Sequence, residues 1–319
     1  MSLRMRLCLT GLAILLALSA CMKTDVKKEE IRKPEIPEAL ELNEDGVPVL
    51  QVYDIMAEKS EEMDIEKYVE GVLAGEMNNE WPPEALKAQA VLARTFVLKF
   101  IDTKSSMYDG ADISTDISEA QAYAEGLINE NIVSAVQETR GEVVSYDGEL
   151  IQAWFHAHAG GVTETADVGL EYKENPPYIK SVESPDSTKA PENVKNWTAT
   201  FTRKEIQEAC KELGIDTGEI TSVEIGKKGE SGRCVNLVIN GKTVSAASLR
   251  IRLGSEKIKS TLLNDVRIDE EGVVFTGSGY GHGVGMSQWG AYAMAESGKT
   301  YDEIIKSYFS DVDIVKVWS

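Results

Sequence analysis

The stretch that follows Pro82-Pro83 constrains this chain more than any other. Ala85, Leu86, Ala88, Ala90, Val91, Leu92, Ala93, Phe96, Val97 and Leu98 point in nearly every direction around a helix, with Pro83 suited to its first turn. Such a helix has no polar face to give to water and must lie inside a core. A chain of 319 residues that is 42% hydrophobic can build one, which sets aside wholesale disorder and collagen-like or coiled-coil architectures. Arg94 stands within the apolar run, and a guanidinium there needs a carboxylate or carbonyl partner. Glu76 on the preceding helix and Glu80 in the connection are equally good partners on sequence grounds.

That preceding helix, predicted from Ile65 to about Met77 with Asp64 as N-cap, holds the most informative acid. Ile65, Val69 and Val72 form one apolar stripe, and Glu76 falls on it, about 20° from Ile65 at 3.6 residues per turn. Glu66 and Glu70 fall on the other side, where solvated charge is the default. A carboxyl at the end of an apolar stripe resists ionisation, as a general acid must. A glutamate at a helix end that simply reaches water is the plainer alternative.

The N-terminus carries an address. Arg4 and Arg6 precede an apolar stretch from Leu7 to Leu18 that is short for a bilayer span, and Leu18-Ser19-Ala20-Cys21 closes it. This pattern resembles a bacterial lipoprotein signal, with residues 1–20 removed and Cys21 lipidated. The body of the protein is then expected outside the cytoplasm, held to the membrane by an N-terminal lipid. Removal takes two arginines from 33 basic residues and none of the 53 acids, so the charge moves from −20 to −22. No cluster of Lys and Arg with interleaved aromatics offsets it, and nucleic acid is excluded as a partner. Of four cysteines only Cys210 and Cys234 remain in the body, as a disulfide or as two buried thiols.

Residues 21–47 are rich in Lys, Glu and Pro and read as a flexible tether, leaving 48–319 as one domain. Val49–Tyr53 reads as a strand, and 142–146 and 150–155 as a hairpin turning at Asp147-Gly148. A helix over 129–139 precedes that hairpin, and residues 156–197 read as a long ordered loop. Further on, a helix over 204–213 is followed by strands at 223–225, 235–239, 242–246 and 273–276, then by two helices, the second opened by a Thr300/Glu303 capping box. The expectation is an α+β fold, mixed helices and mostly antiparallel strands around a substrate groove.

Several chemical motifs are absent or incomplete. His156 and His158 alternate as strand ligands would, but zinc needs three or more, and His282 is far along the chain. Gly277, Gly279, Gly281, Gly283 and Gly285 give no GxGxxG in any register, and Gly298-Lys299-Thr300 lacks the earlier glycine of a P-loop. Alternating glycines instead suit the close approach of another backbone or of a flat ligand such as a sugar. There is no GxSxG and no HExxH.

The segments Tyr68–Met77, Ala85–Phe96, Gln121–Tyr123, Thr139–Val143, Gly160–Glu164, Pro177–Val182, Ser231–Arg233 and Gly281–Ala291 together resemble the stage II sporulation protein D family, which includes amidase-enhancer proteins. The resemblance runs from about Val49 to the C-terminus. It implies a peptidoglycan lytic transglycosylase that acts on glycan strands, in sporulating bacteria usually during engulfment. The catalytic glutamate of the family then falls on Glu76. An important arginine falls on Arg94, a Tyr-x-Lys pair on Tyr178 and Lys180, and further substrate contacts on His282, Ser287 and Gln288. No cofactor is implied. Some members place Cys and His zinc ligands near the segment corresponding to 156–164, but this chain has no Cys there, and no metal is expected. Glycan strands are the implied partner, together with a cell-wall amidase and membrane-anchored sporulation proteins. Two other functions stay open. One is a non-catalytic wall-binding enhancer of an amidase; the other is a hydrolase that pairs Glu76 with Glu80 or Glu84.

Overall fold

The computed structural model describes residues 32–319. The signal read over 1–20 and the lipid attachment at Cys21 lie outside the described residues. Three helices form the centre: α1 (Ile65–Glu76), α2 (Pro83–Thr103) and α3 (Glu130–Glu138). Asp64 caps α1 by accepting from the Glu66 N–H, and Asn129 caps α3 in the same way from Ile132. Along α2 the residues Ala85, Leu86, Ala88, Ala90, Val91, Leu92 and Ala93 are all fully buried, as an all-round apolar helix requires.

Sheets and helices enclose this centre. Pro48–Asp54 pairs antiparallel with Glu41–Leu42 on one side and Lys59–Asp64 on the other, while Ile113–Ser114 joins it in parallel. Glu142–Tyr146 runs antiparallel to both Glu149–Leu150 and the C-terminal strand Asp313–Lys316. Helices Gln288–Glu296 and Tyr301–Tyr308 fold back onto α2. A second core is built from Trp197, Phe201, Ile206, Leu237, Ile239, Leu249, Val273 and Phe275. It lies between the antiparallel strands Asn196–Phe201, Val273–Ser278 and Leu263–Ile268, a second three-stranded antiparallel sheet over 223–245, and helices Arg203–Glu212 and Ala246–Leu253. The fold is α+β with mostly antiparallel strands.

Three readings of the sequence change. From Pro34 onward the segment read as a tether packs on the domain, with Leu40 and Val47 in the main core; a Lys/Glu/Pro composition hides the few apolar residues that anchor it. The second arm of the 142–155 hairpin pairs only over Glu149–Leu150. Phe155–His156 instead pairs in parallel with Met286–Ser287, which brings the glycine-rich segment beside the histidines. Finally, the loop read to residue 197 ends in a strand whose Trp197, Ala199 and Phe201 alternate inward. Among the described residues Cys210 and Cys234 are buried free thiols.

Candidate active site

Glu76 is the last residue of α1, and a pair of glycines determines what its carboxyl meets. Gly71 and Gly75 are spaced i, i+4 and lie on one face of the helix. The segment 121–124 lies directly on that face: the Tyr123 ring covers Gly71, and a Cβ on Gly75 would come within 2.7 Å of the Ala122 carbonyl carbon. Ala124 N donates to Gly71 O at 2.9 Å, and Ala122 N donates to Glu76 Oε1 at 2.8 Å. Gln288 Nε2 donates to the Glu76 carbonyl at 3.2 Å and approaches Oε2 at 3.4 Å. Burial raises the pKa of Glu76 above the ordinary carboxylate value, against the lowering effect of these two donors.

The carboxyl opens on a cleft of about 360 Å³ lined by Glu76, Gln288, Phe96, Ala120, Gln121, residues 154–157 and residues 280–282. Glu76 is the single acid among them. Both amide atoms of Gln121 are buried without a hydrogen-bond partner. His156 turns Nδ1 toward the Val284 carbonyl at 3.1 Å, so Nδ1 carries the proton, and Nε2 is a buried acceptor without a partner. Burial holds His156 well below its ordinary pKa and neutral. The His282 ring lies 5.6 Å from that of His156, so the fold unites histidines that are distant in sequence. His282 is likewise pushed down by burial and then by Arg250 and Arg233. Gly285 allows this arrangement: its φ is +71°, and a Cβ there would fall on the Trp154 carbonyl.

The histidines do not converge as ligands. His158 Nδ1 accepts from Gly160 N at 3.0 Å and lies 3.4 Å from Asp186, and burial keeps it below its ordinary pKa. No group of three or more His, Cys, Asp or Glu that could hold a metal occurs among the described residues.

Other sequence-derived site residues lie elsewhere. Arg94 is fully buried and pairs with Glu66, not with Glu76 or Glu80: Nη2 reaches Oε2 at 2.6 Å, and Nη1 donates to the Glu142 carbonyl at 2.9 Å. Glu66, read as solvated, is only 6% exposed and also accepts from Gly141 N at 3.0 Å and Trp318 Nε1 at 2.9 Å. It stands ten residues before Glu76, about 15 Å along the helix at 1.5 Å per residue. The sequence reading failed because α1 is covered on both sides, so its polar stripe also faces protein. Tyr178 is buried, its hydroxyl accepting from Gln152 N at 2.8 Å, while Lys180 is exposed and 3.9 Å from Asp311. Ser287 caps the helix Gln288–Glu296 and donates to Asp186 at 2.5 Å. None of these four lines the cleft.

A family model described as stage II sporulation protein matches residues 53–146. A second, described as a domain of unknown function, matches residues 175–285. Stage II sporulation protein D of Bacillus amyloliquefaciens is 35% identical over 281 residues, which is 82% of this chain and 77% of that protein. The chain belongs to the stage II sporulation protein D family. The Bacillus subtilis (strain 168) protein of the same name is 33% identical over 279 residues, 83% of this chain and 78% of that protein. An amidase enhancer of Bacillus subtilis (strain 168) is 29% identical over 293 residues, 76% of this chain but 39% of that protein. In this chain the segments joined at the cleft are the end of α1, Gln121, residues 154–157 and the glycine-rich turn that leads to Gln288.

Proposed function

We propose that this protein is a peptidoglycan lytic transglycosylase that cleaves the β-1,4 bond between N-acetylmuramic acid and N-acetylglucosamine. The observation that carries this reading is the solitary carboxyl of Glu76, its pKa raised by burial, at the wall of a cleft with no second acid. Glu76 gives its proton to the glycosidic oxygen as the bond to C1 breaks and an oxocarbenium-like state develops. The resulting carboxylate takes the proton of the 6-hydroxyl, whose oxygen closes onto C1. The product is a 1,6-anhydro ring, no water is consumed, and Glu76 is protonated again. The buried, unpartnered amide of Gln121 and Nε2 of His156 are polar groups that the sugar's hydroxyl and acetamido groups would satisfy.

A two-carboxylate hydrolase has less support. Glu84 is engaged by Lys87 at 2.8 Å and by the Tyr301 N–H at 2.8 Å, and Glu80 accepts from Asn129 at 3.0 Å. The match to an amidase enhancer supports the other alternative, a wall-binding enhancer of a cell-wall amidase. Incubation with glycan strands separates all three: anhydromuramyl ends mark the transglycosylase, reducing ends the hydrolase, and binding without cleavage the enhancer.

Action outside the cytoplasm at the cell membrane, through a lipid on Cys21, is part of the same proposal, as is association with membrane-anchored sporulation proteins. Detergent-phase partitioning that is lost in Cys21→Ser is the expected result; partitioning that survives the substitution sinks the lipid. No helix among the described residues is long and apolar enough to cross a membrane.

A further inference from the structure

His282 belongs to two clefts. Besides the Glu76 cleft it lines a second, of about 430 Å³, whose wall includes Gly169, Glu171, Ser248, Arg250, Arg252 and Thr261. Arg250 lies in the last turn of the helix Ala246–Leu253 and is 9% exposed. Nε donates to the Ile258 carbonyl at 2.9 Å and Nη2 reaches the Ser255 carbonyl at 3.5 Å, while Nη1 has no partner among the described residues. No carboxylate among them pairs with Arg250, although the chain carries 53 acids. Glu171, in the same wall, is turned to the Ser248 hydroxyl, and Arg252 is at the exposed rim, 3.8 Å from Glu212. The contrast is with Arg94, buried in α2, which has its own glutamate.

A buried guanidinium without a counter-ion, facing a cleft, is suited to an incoming anion, and its planar fork matches a carboxylate best. We propose that the Arg250 cleft is a carboxylate-binding subsite for the side arm of muramic acid, reached across His282 from the Glu76 cleft. This rests on the reading that the substrate is a peptidoglycan strand. The lactyl ether distinguishes muramic acid from glucosamine. It ends in a free carboxylate where the stem peptide has been removed, and in an amide leading to more distant carboxylates where the peptide remains. The subsite would therefore recognise the muramic acid and read the state of its side arm.

The test is calorimetric binding to the full chain carrying Glu76→Gln, so that no cleavage is needed. Three oligosaccharides are compared: one peptide-stripped, one stripped with its lactyl carboxyls converted to methylamides, and one with intact stem peptides. The expected result is binding of the stripped form at least about tenfold tighter than its methylamide, with Arg250→Gln abolishing that difference and Arg250→Lys keeping part of it. Tightest binding of the peptide-bearing form, lost in Arg250→Gln, would assign the carboxylate to the stem peptide. Equal binding of all three by protein with Arg250 intact would overturn the subsite, and this arm needs no substitution of Arg250 that could disturb folding. Failure of the wild type to form anhydromuramyl ends would sink the catalytic reading and leave this binding difference untouched.

Discussion

The two ends of α1 carry the same side chain in opposite circumstances. At the N-terminal end Glu66 receives a guanidinium, a backbone N–H and an indole N–H. At the C-terminal end Glu76 receives one backbone N–H and one amide, and no cation. A buried carboxyl with a cation and several donors is a fixed structural charge, whereas one with sparse neutral donors keeps its proton to higher pH. On the proposed reading, burial with incomplete compensation, and not burial alone, is what suits Glu76 to the role of general acid.

Substitution of each end should separate these roles. Glu76→Gln should lower the rate of anhydromuramyl formation by about 10²–10⁴-fold, the range of general acid catalysis, with the fold retained by circular dichroism. Activity equal to wild type would remove Glu76 from the chemistry. Arg94→Met should leave Glu66 buried without its cation and cost about 3–5 kcal/mol in denaturant unfolding. Activity per folded molecule should hold at low temperature, because Arg94 does not line the cleft; a selective loss of activity at wild-type stability would reverse this assignment.

Gln288→Leu is a subtler test, because it removes a donor that lowers the Glu76 pKa. A general acid works while protonated, so activity falls as pH rises through its pKa. Without the Gln288 amide that falling limb of kcat/KM should move to higher pH, and a shift to lower pH contradicts the assigned hydrogen bond.

The smallest effect is on stability. The folded pKa of Glu76 lies above its unfolded value, so its contribution is fully present below the unfolded pKa and is lost as pH rises through the folded one. Glu76→Gln should accordingly be slightly more stable than wild type at neutral pH, with the gain shrinking on acidification. Thermal melts at acidic and neutral pH would show the difference, and a gain that grows toward low pH would contradict the raised pKa.

How much of this was legible in the sequence follows from the range of each interaction. The ends of α1 and α2 were readable because Asp64 and Pro83 act locally, and Glu76 because its stripe repeats within one helix. The role of Glu66 was not, since its partners are 28, 75 and 252 residues away. The strand Lys59–Asp64 was missed because its side chains are mostly charged and its first four residues are exposed; only pairing with Pro48–Asp54 makes it a strand. Gln121 stands out in the sequence only as part of a family-like segment. Its position follows from Gly71 and Gly75, a spacing that signals close approach when a helix is otherwise apolar. The alternating glycines indicate close approach of a backbone or a flat ligand; at Gly279, Gly281 and Gly285 the segment Trp154–His158 makes that approach, while Gly277 and Gly283 meet the side chains of Trp197 and Arg233.

The indole of Trp318 adds a consequence about order in time. The residue next to the last closes the charge cluster at the start of α1, across a sequence separation of 252. The strand just before it, Asp313–Lys316, completes the sheet of Glu142–Tyr146. The core around α1 is therefore closed by segments far along the chain, and contacts of such long range slow folding because loop closure precedes their reward. The helix that carries Glu76 is thus completed by a residue 252 positions beyond its own Glu66.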